Sequence, residues 1–464
     1  MFEAGQLAAW SGGRWTRPPP VAVRSVCHDS SESVPGALFV ALRGERTDGH
    51  AYVADAFARG AAAAMVEDRF AAAHADAGPL LAVGDTKRGL WDLARGHRGR
   101  MTGRLVGVTG SVGKTTVKDM TAAVLAIAGP VACTRGNFNN EIGLPLSLLG
   151  AAPDALWGVF EVGMNHPGEL APLCGLLRPR WAILTRIGPV HIEFFEDEAA
   201  IADEKAELLR ALPADGLAIL AADEPWFDLL RAAAPCRIVT VALDAPADYA
   251  GRADPADPHR LTVTGPAGFA LACRLPMRGH PVLRNALRAV ATGREAGLDA
   301  AAIADALERF VPPPMRGGEC VVAGVTWVDD AYNACPLSME AALETFAAHP
   351  ARTKWVALGG MRELGRRGPA FHREVGRLAA AGPWAGLVVA GDLAAPIADG
   401  AVAAGWPVDR LWRCDGPAAA AAVLAERTRP GDAVLIKGSR GEQMERVLAE
   451  WARLAGAPME ARAH

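Results

Sequence analysis

The stretch that decides the fold is Leu105-Val106-Gly107-Val108-Thr109-Gly110-Ser111-Val112-Gly113-Lys114-Thr115-Thr116. Its first five residues form an apolar run bounded by glycine, which is typical of a buried strand. A helical pattern follows over residues 115–126. Glycines between a strand and a helix let backbone N–H groups face phosphate oxygens, and the helix N-terminus adds positive potential. The stretch therefore predicts a phosphate-binding loop (P-loop) in a parallel α/β sheet.

Seven residues of this P-loop form the predicted nucleotide-binding group. The lysine of such a loop, here Lys114, can reach the β- and γ-phosphates, and the hydroxyl of Thr115 can hold Mg²⁺. Val108 stands where the full Walker pattern has its first glycine, so the motif is the shorter GxxGKTT. The alternative is a glycine-rich turn with a surface lysine, but the strand–loop–helix context favours nucleotide binding. The group comprises Gly110, Ser111, Val112, Gly113, Lys114, Thr115 and Thr116.

Outward from the P-loop, the chain divides into three α/β blocks: residues 1–102, 103–313 and 314–464. Strand-length apolar segments alternate with helical patterns in each block, which predicts mostly parallel sheets. In the central block, residues 244–275 break the alternation and predict a β-hairpin. Pro312-Pro313-Pro314 cannot continue a helix and marks the second boundary. In the third block, residues 321–328 predict one strand.

Composition excludes several classes of protein. Apolar residues make up 51% of the 464 residues and charged residues 22%, which excludes disorder as the main state. A net charge of −4 gives no basic excess, so we expect no nucleic-acid partner. No apolar run reaches the ~20 residues needed to cross a bilayer, and the first residues lack a signal-peptide pattern. The eight cysteines form no CxxC pair, which favours reduced thiols in a cytoplasmic protein.

Two polar residues follow predicted strands of the central block. Glu161 ends one strand, and His191 follows another. Because ligands bind beyond the carboxyl ends of parallel strands, we expect both to converge with Lys114. A carboxylate and an imidazole there can hold a second Mg²⁺ beside the γ-phosphate. The alternatives are a cap or surface acid for Glu161 and a satisfied loop histidine for His191.

A cluster of asparagines lies between these two segments, at Asn137, Asn139 and Asn140. Asparagine tolerates left-handed turns, so the cluster could be a structural loop. It could also supply neutral hydrogen-bonding groups to a phosphate or a substrate. The spacing does not choose between these interpretations.

Taken together, these motifs resemble those of the Mur ligase family of cell-wall synthesis. The resemblance covers nearly the whole chain and depends on several motifs in a fixed order. They are residues 35–50, 110–116, 136–145, 161–169, 187–191, 202–207, 329–334, 358–365 and 437–441.

The resemblance implies a fold and a reaction. The fold is α/β with a small N-terminal domain that binds a uridine nucleotide, a central P-loop ATPase domain and a C-terminal Rossmann-like domain. The reaction is ATP-dependent amide-bond formation through an acyl phosphate. Residues 137–145 and 329–334 favour the type that adds D-alanyl-D-alanine to UDP-N-acetylmuramoyl-tripeptide. We expect a monomer that closes its domains around the substrates and that stands open without them.

The resemblance also implies residue roles. Lys114, Glu161, His191 and Lys205 form the catalytic group, and Thr115, Glu161, His191 and a CO₂-derived carbamate on Lys205 hold Mg²⁺, with two ions expected. Without the resemblance, Lys205 would be an exposed helical lysine paired with Glu204 or Glu207. Asn285, Arg316 and Asp330 complete the ATP-binding group. The substrate-binding group is Ser30, Asn137, Asn139, Asn140, Asn333, Lys437 and Arg440.

Four residues depart from the family pattern: Ser31, Pro281, Cys335 and Gly360. They affect predicted nucleotide contacts but none of the phosphate or metal residues. Two other functions stay open. One is a sister ligase that adds a single amino acid, such as diaminopimelate, lysine or a glutamate of folate. The other is a non-catalytic, nucleotide-gated module, which has no need of a two-metal cluster.

Overall fold

Three β-sheets organise the chain in the computed structural model, which describes residues 1–44 and 47–457. The predicted motif at 35–50 includes Glu45 and Arg46, and the third predicted domain includes residues 458–464; these nine positions lie outside the described residues. Each sheet falls within one predicted block. The boundaries near residues 102 and 313 lie between sheets and stay predictions.

The N-terminal sheet has the strand order β1-β5-β4-β3-β2, and only β1 is antiparallel to its neighbour. Every residue of β3 and β5 is buried, as expected for parallel strands covered on both faces. The strands are β1 Arg14–Trp15, β2 Ser25–Cys27, β3 Ala37–Val40, β4 Ala63–Glu67 and β5 Leu80–Val83; the helices are α1 Ala4–Ser11, α2 Val53–Ala58, α3 Asp68–Ala73 and α4 Thr86–Arg98.

The central sheet has nine strands in the order β14-β13-β12-β11-β10-β9-β6-β8-β7. Its strands are β6 Arg104–Thr109, β7 Val131–Cys133, β8 Trp157–Glu161, β9 Trp181–Leu184, β10 Leu217–Ala221, β11 Arg237–Leu243, β12 Tyr249–Ala253, β13 Arg260–Thr264 and β14 Ala270–Arg274. Its helices are α5 Lys114–Leu125, α6 Gly143–Leu149, α7 Leu170–Leu177, α8 Glu198–Arg210, α9 Phe227–Ala233, α10 His280–Glu295 and α11 Ala300–Glu308.

Strand β6 lies inside this sheet and is apolar on both faces. Leu105 packs into the core that includes α7 and α8, whereas Val106 and Val108 pack with α5 and α10. The predicted hairpin at 244–275 has one more strand than expected. β12 continues the parallel sheet beside β11, and the antiparallel pairs are β12 with β13 and β13 with β14.

The C-terminal sheet has the order β15-β16-β20-β17-β18-β19. All neighbouring strands are parallel except β15 and β16. The strands are β15 Gly318–Val322, β16 Val325–Asp330, β17 Lys354–Leu358, β18 Gly386–Ala390, β19 Leu411–Cys414 and β20 Ala433–Lys437; the helices are α12 Pro336–Ala347, α13 Gly368–Ala380, α14 Ala395–Ala403, α15 Pro417–Arg427 and α16 Glu445–Leu454.

The single strand predicted at 321–328 is wrong, because a hairpin turn interrupts it. Ala323 and Gly324 have φ values of 48° and 79° and reverse the chain between β15 and β16. Two positive φ values in a two-residue connection are typical of a type I′ turn, whose twist suits a hairpin. The apolar run on both sides of Gly324 hid this turn in the sequence.

Two observations concern the predictions about membrane-spanning segments and about the cysteines. Within residues 1–44 and 47–457, no helix is long and apolar enough to span a bilayer. All eight cysteines are free thiols.

Candidate active site

A cavity of about 540 Å³ lies where the central and C-terminal domains meet. It collects most of the residues that the sequence proposed, although they come from distant parts of the chain. Gly110, Lys205 and Ser30 do not line it. Those that do are Ser111, Val112, Gly113, Lys114, Thr115, Thr116, Asn137, Asn139, Asn140, Glu161, His191, Asn285, Arg316, Asp330, Asn333, Lys437 and Arg440.

The P-loop connects β6 to α5 and is held from behind by the segment that follows β9. The backbone N–H groups of Ser111 and Val112 donate to the carbonyl of Arg186 at 2.8 and 3.2 Å. Gly110 has φ 145°, and a Cβ there would lie 1.9 Å from Thr185 Oγ1, so only glycine fits. The Lys114 ammonium donates a hydrogen bond to the Gly110 carbonyl at 2.9 Å. Its surroundings desolvate it and lower its pKa.

Glu161 is 2% exposed at the end of β8 and anchors the centre of the cavity. Thr115 Oγ1 donates to Glu161 Oε2 at 2.8 Å, and Asn139 Nδ2 donates to Oε1 at 2.6 Å. From the C-terminal domain, Arg316 Nη2 donates to Thr115 Oγ1 at 3.0 Å. The alternative of a surface acid is therefore wrong for Glu161. The Glu161 carboxylate is therefore hydrogen bonded to the P-loop and to the asparagine cluster. Through Thr115 it is also linked to Arg316 of the C-terminal domain.

The donor set around Glu161 fits Mg²⁺. Thr115 Oγ1 and Glu161 Oε2 are 2.8 Å apart, close to the separation of about 3 Å between neighbouring oxygens of an octahedral Mg²⁺. Both are hard oxygen donors, and His191 lines the same cavity. Over the described ranges, no group of three or more His, Cys, Asp and Glu side chains could hold a metal. A metal here would therefore need the threonine hydroxyl and ATP phosphates as ligands.

His191 lies at an interdomain contact that the sequence did not predict. Its backbone is left-handed, with φ 56°, and its Nδ1 hydrogen bonds to Oε2 of Glu363 from the C-terminal domain. This hydrogen bond lowers the pKa of the Glu363 carboxyl. The two residues are 172 positions apart in the chain, which explains why no local pattern revealed the pair.

Lys205 is 1% exposed on α8, so the alternative of an exposed, ion-paired lysine is wrong. Glu204 turns away and accepts the backbone N–H groups of Gly168 and Leu170, and Glu207 accepts from Arg210. Burial lowers the pKa of Lys205 well below its ordinary value, and the nearby Lys114 charge acts in the same direction.

The C-terminal domain contributes an ion pair with a buried lysine and a stacked arginine. Lys437 Nζ, at the end of β20, donates to Asp330 Oδ2 at 2.6 Å and to the Asn333 carbonyl at 3.1 Å. Arg316 lies over the ring of Tyr332, with its guanidinium carbon 3.9 Å from the centroid, a cation–π contact. The sequence proposed Lys437 and Asp330 separately and missed both their pairing and Tyr332.

Two proposed substrate residues have local partners as well, and a third lies elsewhere in the fold. Asn140 Oδ1 accepts the backbone N–H groups of Ile142 and Gly143, which supports the structural interpretation at that position. Arg440 Nη1 donates to Glu445 Oε1 at 2.6 Å at the rim of the cavity. Ser30 belongs to a short 3-10 helix of the N-terminal domain, away from this cavity.

Sequence reasoning also missed a charged cluster behind the P-loop. Glu224 is 5% exposed and lies 3.7 Å from Arg186 Nη1, and Arg288 is buried nearby on α10. Burial raises the pKa of Glu224 to about 7. Arg284, beside Asn285, pairs with Asp223 at 2.8 Å. The acidic pair after β10 was the signal available in the sequence.

Two departures from the family pattern have structural explanations. Pro281 occupies the first turn of α10, where its missing N–H has no helical partner to lose. Cys335 precedes α12, and its backbone N–H is satisfied by Ser338 Oγ. Both line the cavity, so these departures change its wall without breaking the fold.

A P-loop domain and a second α/β domain that share one cavity define a class of multidomain nucleotide-dependent enzymes. Three family models match the chain: "Mur ligase family, catalytic domain" over residues 22–96, "Mur ligase middle domain" over 108–293 and "Mur ligase, glutamate ligase domain" over 315–440. The chain belongs to the Mur ligase family.

Individual relatives match over most of their length. The UDP-N-acetylmuramoyl-tripeptide–D-alanyl-D-alanine ligase of Synechocystis is 34% identical over 93% of each chain. The crystal structure of MurF from Acinetobacter baumannii has a TM-score of 0.86 and 28% identity, covering 97% of this chain and 99% of that one. MurF ligase from Thermotoga maritima in complex with ADP has a TM-score of 0.79 and 27% identity, covering 94% and 98%.

Proposed function

We propose that this protein is an ATP-dependent ligase that adds D-alanyl-D-alanine to UDP-N-acetylmuramoyl-tripeptide and yields the UDP-N-acetylmuramoyl-pentapeptide precursor of peptidoglycan. The observation that carries the proposal is the cavity in which the P-loop, buried Glu161 and Arg316 of the other domain converge. The relatives that match over nearly the full chain support the choice of substrates.

The reaction requires activation of a carboxylate. The terminal carboxylate oxygen of the tripeptide attacks the γ-phosphorus of ATP, and ADP leaves. The amine of D-alanyl-D-alanine then attacks the acyl carbon, loses a proton and expels inorganic phosphate. Lys114, with its ammonium beside the P-loop carbonyls, can offset charge on the transferring phosphoryl group, which is the main catalytic demand in such transfers.

Thr115, Glu161 and His191 are the residues that would hold Mg²⁺. The ion supplies charge neutralisation to phosphate oxygens when bound. The hydrogen bonds from Thr115 and Asn139 fix both oxygens of Glu161, so the carboxylate is oriented before any ligand binds.

We also propose that Lys205 carries a carbamate. Its burial and lowered pKa favour a neutral amine, which is the form that adds to CO₂ with loss of a proton. The product is an anionic oxygen donor on α8, in the same part of the fold as Lys114 and Glu161, the charges that influence its pKa. An additional oxygen ligand there would suit a second Mg²⁺.

The remaining predicted roles are distributed by domain. The N-terminal domain, with Ser30, would hold the uridine nucleotide end. Asn285 would contact the adenine of ATP, and Arg316 and Asp330 would reach the nucleotide from the C-terminal domain. Asn333, Lys437 and Arg440 would contact the dipeptide or the phosphate. We propose a monomer in the cytoplasm, which the eight free thiols and the dependence on ATP support.

The direct test measures phosphate release from ATP and Mg²⁺ with UDP-N-acetylmuramoyl-tripeptide, comparing D-alanyl-D-alanine with single amino acids. Release with the dipeptide alone, together with a product heavier by the dipeptide residue mass, is the expected result. Release with diaminopimelate, lysine or glutamate would assign a sister ligase. ATP binding without release for any acceptor would favour the non-catalytic module.

A further inference from the structure

A loop of the C-terminal domain, residues 361–368, is held in shape by one buried histidine. His372, 1% exposed on α13, accepts the backbone N–H of Met361 at Nε2 (2.8 Å) and donates from Nδ1 to the carbonyl of Gly368 (2.7 Å). Burial lowers the pKa of His372, which keeps the ring neutral, as this pair of hydrogen bonds requires. We call residues 361–368 the docking loop.

The docking loop reaches across to residues 191–196 of the central domain at three points. Glu363 bonds to His191 Nδ1. Gly365, with φ 52°, packs so closely that a Cβ would lie 2.7 Å from Glu193 Cβ. Arg367 Nη2 donates to the backbone carbonyl of Glu196 at 3.0 Å. Through these contacts, residues 191–196 of the central domain pack against the docking loop of the C-terminal domain.

The backbone at the centre of this contact is unusual on both sides. His191 has φ 56° and Glu363 has φ 61°, in the left-handed region that residues with a Cβ rarely adopt. Such conformations persist where the surroundings enforce them, and they concentrate at functional sites. Here the two left-handed residues are the ones that meet across the domain interface, beside the cavity that both line.

We infer that Glu363 is a positioning residue that orients His191 when the docking loop seats on the central domain. A carboxylate accepts hydrogen bonds, so His191 Nδ1 is the donor in this contact and carries a proton. In the neutral ring, Nε2 is then the acceptor nitrogen. Carboxylates commonly fix metal-binding histidines in this way. The inference rests on the proposed function, because it gives His191 its role toward Mg²⁺, and it makes the metal site dependent on domain closure.

The test compares Glu363→Ala with Glu374→Gln in the full-length protein. Glu374 is an exposed residue on the same domain that pairs with Arg377, so its variant controls for a lost surface charge. The first measurement is kcat and the KM for ATP. The second is the affinity for Mn²⁺, measured by water proton relaxation with a non-hydrolysable ATP analogue, which needs no turnover.

We expect Glu363→Ala to lower kcat by about tenfold or more and to weaken Mn²⁺ binding, while the KM for ATP changes less than about twofold because the P-loop is intact. Glu374→Gln should match the parent protein in both measurements. Unchanged Mn²⁺ affinity in Glu363→Ala would overturn the inference, whether or not kcat falls, since Glu363 would then not act through His191. A parent protein that releases no phosphate would contradict the proposed function, whereas the Mn²⁺ comparison would still decide the role of Glu363.

Discussion

Glu224 shows how a single buried carboxylate can couple the P-loop to pH. It lies beside Arg186, whose carbonyl accepts two N–H groups of the P-loop, and burial raises its pKa to about 7. In the unfolded chain it ionises near pH 4.5, so between pH 4.5 and 7 the folded state binds more protons than the unfolded state. The free energy of unfolding therefore falls as pH rises through this window, and the contribution is constant above it.

Glu224→Gln removes this titration. We expect the free energy of unfolding of the variant, relative to the parent, to rise by about 2–3 kcal/mol between pH 5 and 7. Denaturant unfolding at pH 5, 6 and 7 measures it. Glu426→Gln, at an exposed position on α15, serves as the control and should show no such trend. The prediction would be contradicted if the difference in the free energy of unfolding between Glu224→Gln and the parent did not vary with pH.

The carbamate proposed on Lys205 has a direct spectroscopic test. Protein equilibrated with ¹³C-bicarbonate should show a carbamate carbon resonance that is absent from Lys205→Ala and present in Lys87→Ala, which alters an exposed lysine paired with Glu141. Loss of the anionic oxygen should lower kcat by about 10–100-fold. An unchanged carbon spectrum and full activity in Lys205→Ala would rule out the modification.

At the scale of elements, the junction of β6, the P-loop and α10 is tightly fitted. Gly113 has φ 91°, and a Cβ there would lie 2.7 Å from Asn285 Oδ1. Gly113→Ala should therefore weaken ATP binding by about tenfold or more, because backbone strain and the displaced Asn285 both disturb the site. Gly175→Ala on α7, where nothing lies within 4 Å of the new Cβ, should bind ATP like the parent. Calorimetric titration with an ATP analogue distinguishes these results.

How well an element could be predicted depended on whether its signal was local. The apolar run of β6 and the glycines after it lie together in the sequence, so the strand, the loop and α5 were predicted to within a residue or two. The turn at Ala323 and Gly324 was missed because apolar residues continue on both sides of it. α14 was missed because alanines and a glycine make up most of it and give little periodicity, and β19 was missed because it has only four residues.

The family and the α/β fold in three blocks were predicted correctly, and the expected convergence of Lys114, Glu161 and His191 is seen, because all three line one cavity. The individual contacts between distant segments could not be predicted from the sequence. The pairing of Lys437 with Asp330 and of Glu363 with His191 depends on how strands and domains lie together in space, and no periodicity or spacing records that.

At the scale of the whole molecule, the structure has its central and C-terminal domains in contact, through Arg316 on Thr115 and Arg367 on Glu196. The open form expected in solution without substrates stays a prediction. We expect the radius of gyration from small-angle scattering to fall when an ATP analogue and both substrates are added. The fall should be smaller in Arg316→Ala, which removes the hydrogen bond to the P-loop threonine. Identical scattering with and without ligands would contradict closure.

The separation of the cavity's halves along the chain has a consequence for biosynthesis. Thr115 and its partner Arg316 are 201 residues apart, and Glu363 comes later still. Domains fold in turn as a chain leaves the ribosome, N-terminal ones first. The nascent polypeptide therefore carries its phosphate-binding loop for the whole time in which the C-terminal domain is being translated, and an interrupted translation product that ends before residue 315 has the loop but neither Arg316 nor Glu363.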